Sequence, residues 1–146
     1  MDRQVASTWW SLKIALGAGP FLAGLDKFFN VLTNWTDYLN PVALQYVPVD
    51  ADTFMRGMGI VEMIVGLAIL TRWTRLGAYL AVCWLVGIAV SLVAMGKFYD
   101  IAVRDVLLAV AAFALAQLTA ARQAEAVHSD EKPWKASSRE ILSLKL

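Results

Sequence analysis

TFMRGMGIVEMIVGLAIL, Thr53 to Leu70, is long enough as an α-helix to cross a bilayer, yet it carries a carboxylate, Glu62, near its middle. At about 1.5 Å per residue, Glu62 lies roughly 13 Å from the start of the stretch, close to the centre of a hydrocarbon slab about 30 Å thick. Ionisable groups at that depth face other helices or a water-filled cavity. Gly59 and Gly66, three residues before and four after, share its helical face. Without side chains there, another backbone can come close. The stretch therefore predicts a membrane helix whose glycine face, with Glu62 on it, points into a bundle.

The rest of the 146 residues agrees with that environment. The chain is 59% hydrophobic, far above an ordinary soluble domain, and its length allows one domain. Net charge is +1 with the basic residues scattered, so neither nucleic acid nor a polybasic lipid anchor is indicated. Cys83 is the single cysteine, which excludes an intrachain disulfide and any multi-cysteine metal or cluster site. His128, the single histidine, lies outside the apolar runs, so haem ligation has no support and no metal site is expected. There is no P-loop, dinucleotide fingerprint, GxSxG or CxxC.

Upstream, the polar opening with Trp9 and Trp10 is followed by an apolar run to Phe29, read as the first span. Lys13, Gly17, Pro20, Gly24 and Lys27 recur at steps of four and three, drawing a stripe of small residues with a cation at each end. Residues 30–52 form a loop in which Asn40 before Pro41 predicts a short helix over PVALQY, and Thr53 is expected to cap the second span. Downstream, TRWTR leads to a third span, about Leu76 to Ala94. Its small-residue face runs through Gly77, Leu80, Trp84, Gly87, Ser91 and Ala94. After MGKFYD comes a fourth span, Ile101 to Thr119, with Asp105, Leu108, Ala112, Leu115 and Thr119 inward. The expected fold is all-α, an integral membrane antiparallel four-helix bundle. Nine Lys and Arg fall on the side of the termini against four on the other, which places both termini in the cytoplasm.

In this topology the external span ends bring together Asp26, Lys27, Arg56, Lys97, Asp100, Arg104 and Asp105, with Glu62 one or two turns deeper. One reading is a mutually neutralising network that pins the helices. The other is a polar pocket in which Glu62 handles protons while Arg56 or Arg104 orients a small anion or a quinone carbonyl. The expected partner of Glu62 is Lys27, Arg56 or Arg104. Gly17, Gly24, Gly59, Gly66 and Gly87 are the packing positions. Residues 1–119 form the membrane domain and residues 120–146 a polar cytosolic tail. The tail reads either as a short helix opened by the capping box Ser137 to Glu140 or as an added strand at its end. Trp134, Ile141, Leu142, Leu144 and Leu146 are its partner-docking residues.

FLAGLDKF (Phe21 to Phe28), GIVEMIVGLAIL (Gly59 to Leu70), RLGAYLAV (Arg75 to Val82) and FYDIAVRDVLLAVAAFALA (Phe98 to Ala116) resemble, in order, the spans of the DoxX-like family of small membrane proteins. The resemblance covers most of residues 10–119. Gly24, Lys27, Glu62, Gly66, Arg104 and Asp105 match the family's recurrent positions, whereas the tail departs from its pattern. Members include the small subunit of a thiosulfate:quinone oxidoreductase and membrane partners in other oxidoreductase assemblies, and distant relatives serve as cargo receptors or assembly factors. The resemblance implies a small subunit of a bacterial inner-membrane redox or energy-converting complex, in contact with lipid and other subunits and bordering a quinone or lipid site. A quinone-reactive oxidoreductase subunit using Glu62, and a non-catalytic carrier or assembly factor, are the alternatives.

Overall fold

The computed structural model describes residues 3–46 and 49–143, with the side chains of 43, 44, 46 and 129–143 left aside. The described chain is helical: α1 Arg3–Asp26, a 3-10 turn Trp35–Tyr38, α2 Pro41–Tyr46, α3 Ala51–Leu70, α4 Thr74–Met95 and α5 Tyr99–Ser143. α1 packs on α3, α3 on α4, α4 on α5, and α5 back on α1. Three helical segments, Ala51–Leu70, Thr74–Met95 and Tyr99–His128, are long and apolar enough to cross a membrane. α1, expected as the first span, falls outside that set. Its polar opening turns, Lys13 and Asp26 dilute the hydropathy of an otherwise apolar helix.

The helix boundaries have local causes. α3 begins two residues before Thr53, because Asp50 and not Thr53 is the cap: its carboxylate accepts the Thr53 N–H at 3.0 Å. Hydrogen bonds from the Thr53 side chain and backbone hold the Asp50 carboxyl below its ordinary range. Asn40 Oδ1 accepts the Val42 N–H at 3.0 Å, so α2 starts at Pro41 as its sequence requires. α4 ends on Gly96 in the left-handed region, φ 71°, where glycine carries no Cβ penalty. At the α3–α4 turn the Thr74 hydroxyl donates to the carbonyls of Ile69 and Thr71, satisfying groups the end of α3 leaves open.

α5 does not stop at Thr119. It continues through Ser137 to Ser143, so the capping-box start and the added strand are not formed where the backbone is described. Residues 120–132 contain no glycine or proline to end the helix; Pro133 removes a backbone donor and crowds the carbonyl four residues earlier, yet the helix continues past it to Ser143. Trp134, Ile141 and Leu142 lie in this extension, where only the backbone is described; Leu144 and Leu146 lie outside the described residues.

The α1–α3 contact is made backbone to backbone. A Cβ placed on Gly59 would stand 2.5 Å from the Gly24 carbonyl oxygen, and one on Gly66 would stand 2.5 Å from that of Gly17. A Cβ on Gly24 would run into the Gly59 carbonyl in the same way. Two glycines seven residues apart on each antiparallel helix thus form one seam, with room for Cα–H···O contacts along it. α4 and α5 meet through alanines instead: Ala78, Ala81 and Ala89 on one, Ala102, Ala109, Ala112 and Ala116 on the other, all buried. α5 turns Asp105, Ala112, Leu115 and Thr119 inward, with Ala109 buried in place of Leu108. In α4, Gly77 is packed against Ile69, but Gly87 has nothing within 4 Å of its Cβ position and Leu80 is exposed. Gly87 is nine residues from buried Ala78, which at about 100° per residue puts it on the opposite side of the helix.

Large apolar side chains cover the outward faces, among them Ile60, Ile64 and Leu67 of α3, Leu80 and Val90 of α4, and Val103, Leu107 and Val110 of α5. The interior divides in two. One apolar cluster joins Trp9, Leu16, Val65, Ile69, Ala81 and Leu115; the other joins Ala89, Leu92 and Ala102. Along α4 and α5 the division falls at the level of Trp84 and Asp105.

The seam and the open position respond oppositely to a methyl group. Gly59→Ala is expected to lower stability by about 1–3 kcal/mol, because backbone atoms must separate. Gly87→Ala is expected to raise it by about 0.5–1 kcal/mol through helix propensity alone. Thermal unfolding of both variants in the same detergent checks the pair.

Candidate functional site

Glu62 lies on the glycine face of α3, and its neighbours come from α1 and α4. Lys27, at the end of α1, places Nζ 2.5 Å from Glu62 Oε2, both residues being buried at 7% and 8% exposure. Trp84 of α4 directs its indole N–H at Oε1 from 3.4 Å, longer than the usual distance of about 2.9–3.0 Å. The glycine seam makes the ion pair possible. Gly24 and Gly59 touch one turn away, so a lysine stem from α1 reaches a carboxylate on α3 without bending either helix.

The loop after α1 closes over the pair. Asn30 takes φ 51° and turns the chain back, so that the N–H groups of Val31 and Leu32 reach the Asp26 carboxylate at 3.1 and 3.0 Å. The Trp35 indole N–H donates to the same carboxylate at 2.8 Å. Held there, the Trp35 ring lies 3.8 Å from Lys27 Nζ, a cation–π contact on the flank of the ammonium. Tyr38 continues the loop to the α4–α5 turn, with its ring 4.6 Å from that of Phe98. Asp26 therefore organises the loop, and Lys27 neutralises Glu62.

The remaining charges are placed differently from a single merged cluster. Arg56 is exposed and forms no ion pair among the described residues; the carboxylate its charge acts on is Asp50. Six residues before Glu62, it lies about 120° round the helix from it. Arg104 reaches its own neighbour, with Nη2 3.1 Å from Asp105 Oδ1, and not Glu62. Asp105 is buried at 3% exposure on the inner face of α5, within the electrostatic reach of Lys27. Lys97 and Asp100 are exposed. Lys27, Glu62 and Asp105 are thus drawn inward, Arg104 bridges outward, and Arg56 stands apart.

The sequence reading missed Trp35 and Trp84 as parts of this site. For Trp84 a signal was present, since it is the one large aromatic among the small residues of its α4 face. Trp35 is fixed by a loop hydrogen bond that no periodicity announces.

A second polar set holds the opposite end. Lys13 Nζ donates to the Thr71 carbonyl at 2.9 Å, and Trp9 Nε1 donates to Thr119 Oγ1 at 2.8 Å, tying α1 to α3 and to α5. Arg122 stacks on Trp9 with Cζ 3.9 Å from the ring centroid.

The chain matches no protein-family model, no curated protein and no solved structure.

A buried ion pair is costly to break from one side. Glu62→Gln or Lys27→Met alone is expected to destabilise by about 3–5 kcal/mol, because each leaves an uncompensated or unpartnered buried group. The double variant Lys27→Met/Glu62→Leu is expected to recover most of that loss. Equilibrium unfolding of the three variants, read as a double-mutant cycle, measures the coupling.

Proposed function

We propose that the chain is a small multi-pass subunit of a larger membrane complex, of the redox or energy-converting kind, and that its role there is structural. The observation that carries this reading is the engagement of Glu62. The one carboxylate at mid-membrane depth is neutralised by Lys27, flanked by Trp84 and overlain by the Asp26-anchored loop, an arrangement that fixes α1, α3 and α4 against one another. Exposed outward faces, with Phe113 and the open Gly87 position among them, offer contact to lipid or to neighbouring subunits.

In this reading α1 is also a span, the first of four, carried across by its seam with α3, and both termini face the cytoplasm of a bacterial inner membrane. The α5 extension after Thr119, with Trp134, Ile141 and Leu142, is the cytosolic docking segment. The DoxX-like residue pattern supports the same class of protein.

One observation favours a second reading. Among the described residues Glu62 Oε1 is held only by the long Trp84 contact, which leaves an acceptor for a proton or a quinol hydroxyl in a quinone-reactive subunit.

Solubilising the tagged full-length chain from its own membranes and sizing the particle tests the proposal. A stoichiometric larger complex is the expected result, recovered in lower yield with Glu62→Gln in line with the lost stability. A homogeneous particle of this chain alone overturns it. A complex that keeps its composition with Glu62→Gln but loses quinone-dependent turnover selects the second reading.

A further inference from the structure

We propose that the α3–α4 turn is a binding site for an anionic phospholipid, with the phosphate between Arg72 and Arg75 and the glycerol and upper acyl carbons on Trp73, Leu76 and Tyr79. A groove of about 400 Å³ opens at this turn, and those five residues line it. Both arginines are exposed, and neither has a carboxylate partner among the described residues. Trp73 is 54% and Leu76 50% exposed, although each is large and apolar.

The groove is graded along its length. Arg72 and Trp73 lie in the turn before α4 and Arg75 in its first turn; Tyr79 lies one helical turn further into α4, about 6 Å from Arg75 along the axis. Its hydroxyl accepts from Gln117 Nε2 at 3.3 Å, which fixes the ring as a wall. A guanidinium pair above an apolar wall, at the end of two apolar helices, matches a headgroup phosphate above acyl carbons. A free phosphate would use the arginines and leave the wall bare. More positive charge surrounds the turn: Lys13 binds the Thr71 carbonyl next to it, and Arg122 is close enough to act on Lys13. Arg122 Nη1 is itself buried without a hydrogen-bond partner among the described residues. A net-neutral headgroup would set its own cation among these groups, so the preference is for lipids of net negative charge.

The site rests on the membrane-spanning reading of α3 and α4, and the test separates the two. Membranes containing the full-length chain are first washed with alkaline carbonate; release into the aqueous phase overturns the spanning reading and this site with it. Detergent-purified chain is then titrated with phosphatidylglycerol and with phosphatidylcholine, and bound lipid is counted by native mass spectrometry. The expected result is preferential retention of phosphatidylglycerol, about thirtyfold weaker in Arg72→Gln/Arg75→Gln and unchanged in Arg56→Gln at the other end. Trp73→Ala, which keeps both arginines, is expected to weaken lipid retention as well. Equal retention of the two lipids, or a double variant that behaves as the parent, overturns the proposal. Displacement of the lipid by millimolar inorganic phosphate also overturns it, in favour of a simple anion site.

Discussion

An ammonium and a carboxylate that share a buried position hold this structure in its register. Lys27 and Glu62 are each too costly to bury alone, and their attraction offsets desolvation only when geometry is maintained on all sides. That requirement passes to the surrounding residues. The helices must approach to backbone contact, which Gly24 and Gly59 permit beside the pair and Gly17 and Gly66 further along, and the outer face of the ammonium must be covered, which Trp35 does. Asp26, next in sequence to Lys27, fixes Trp35. Four residues within one dozen positions thereby depend on a carboxylate that lies 35 residues after Lys27.

The two ends of the helical array are built on different principles. At the loop end, acids and bases are matched: Lys27 with Glu62, Arg104 with Asp105, and Asp26 with three N–H donors. At the end of the termini, cations are satisfied by neutral groups. Lys13 uses a carbonyl and Arg122 an indole face, while Arg72 and Arg75 project outward. The first end is electrostatically closed, and the second keeps positive charge available to its surroundings.

How far the sequence disclosed this depended on how selective each helix is. α3 and α1 were readable because their glycines fall on one face with charged residues at definite positions, leaving a single way for the two to meet. α4 was not, because it is apolar on every side with small residues all round; the four-three spacing through Gly87 was as good a pattern as the one through Ala78, Ala81 and Ala89 that the structure uses. The choice of Lys27 over Arg56 could have been read from the 120° offset of Arg56. The Trp35 cover could not, since it comes from a loop closed by an Asp26 hydrogen bond. The length of α5 followed a similar logic: a change from apolar to polar composition marks a change of solvent, not a break in the helix.

The order of residues along α1 and α3 has a consequence for biogenesis. Lys27 leaves the ribosome 35 residues ahead of its counter-ion. At about 5–20 residues per second that interval lasts roughly 2–7 s. During it α1 has neither the carboxylate that neutralises its ammonium nor the Thr71 carbonyl that receives Lys13. The two buried lysines of α1 therefore meet their acceptors only after α3 and the turn that follows it have been made.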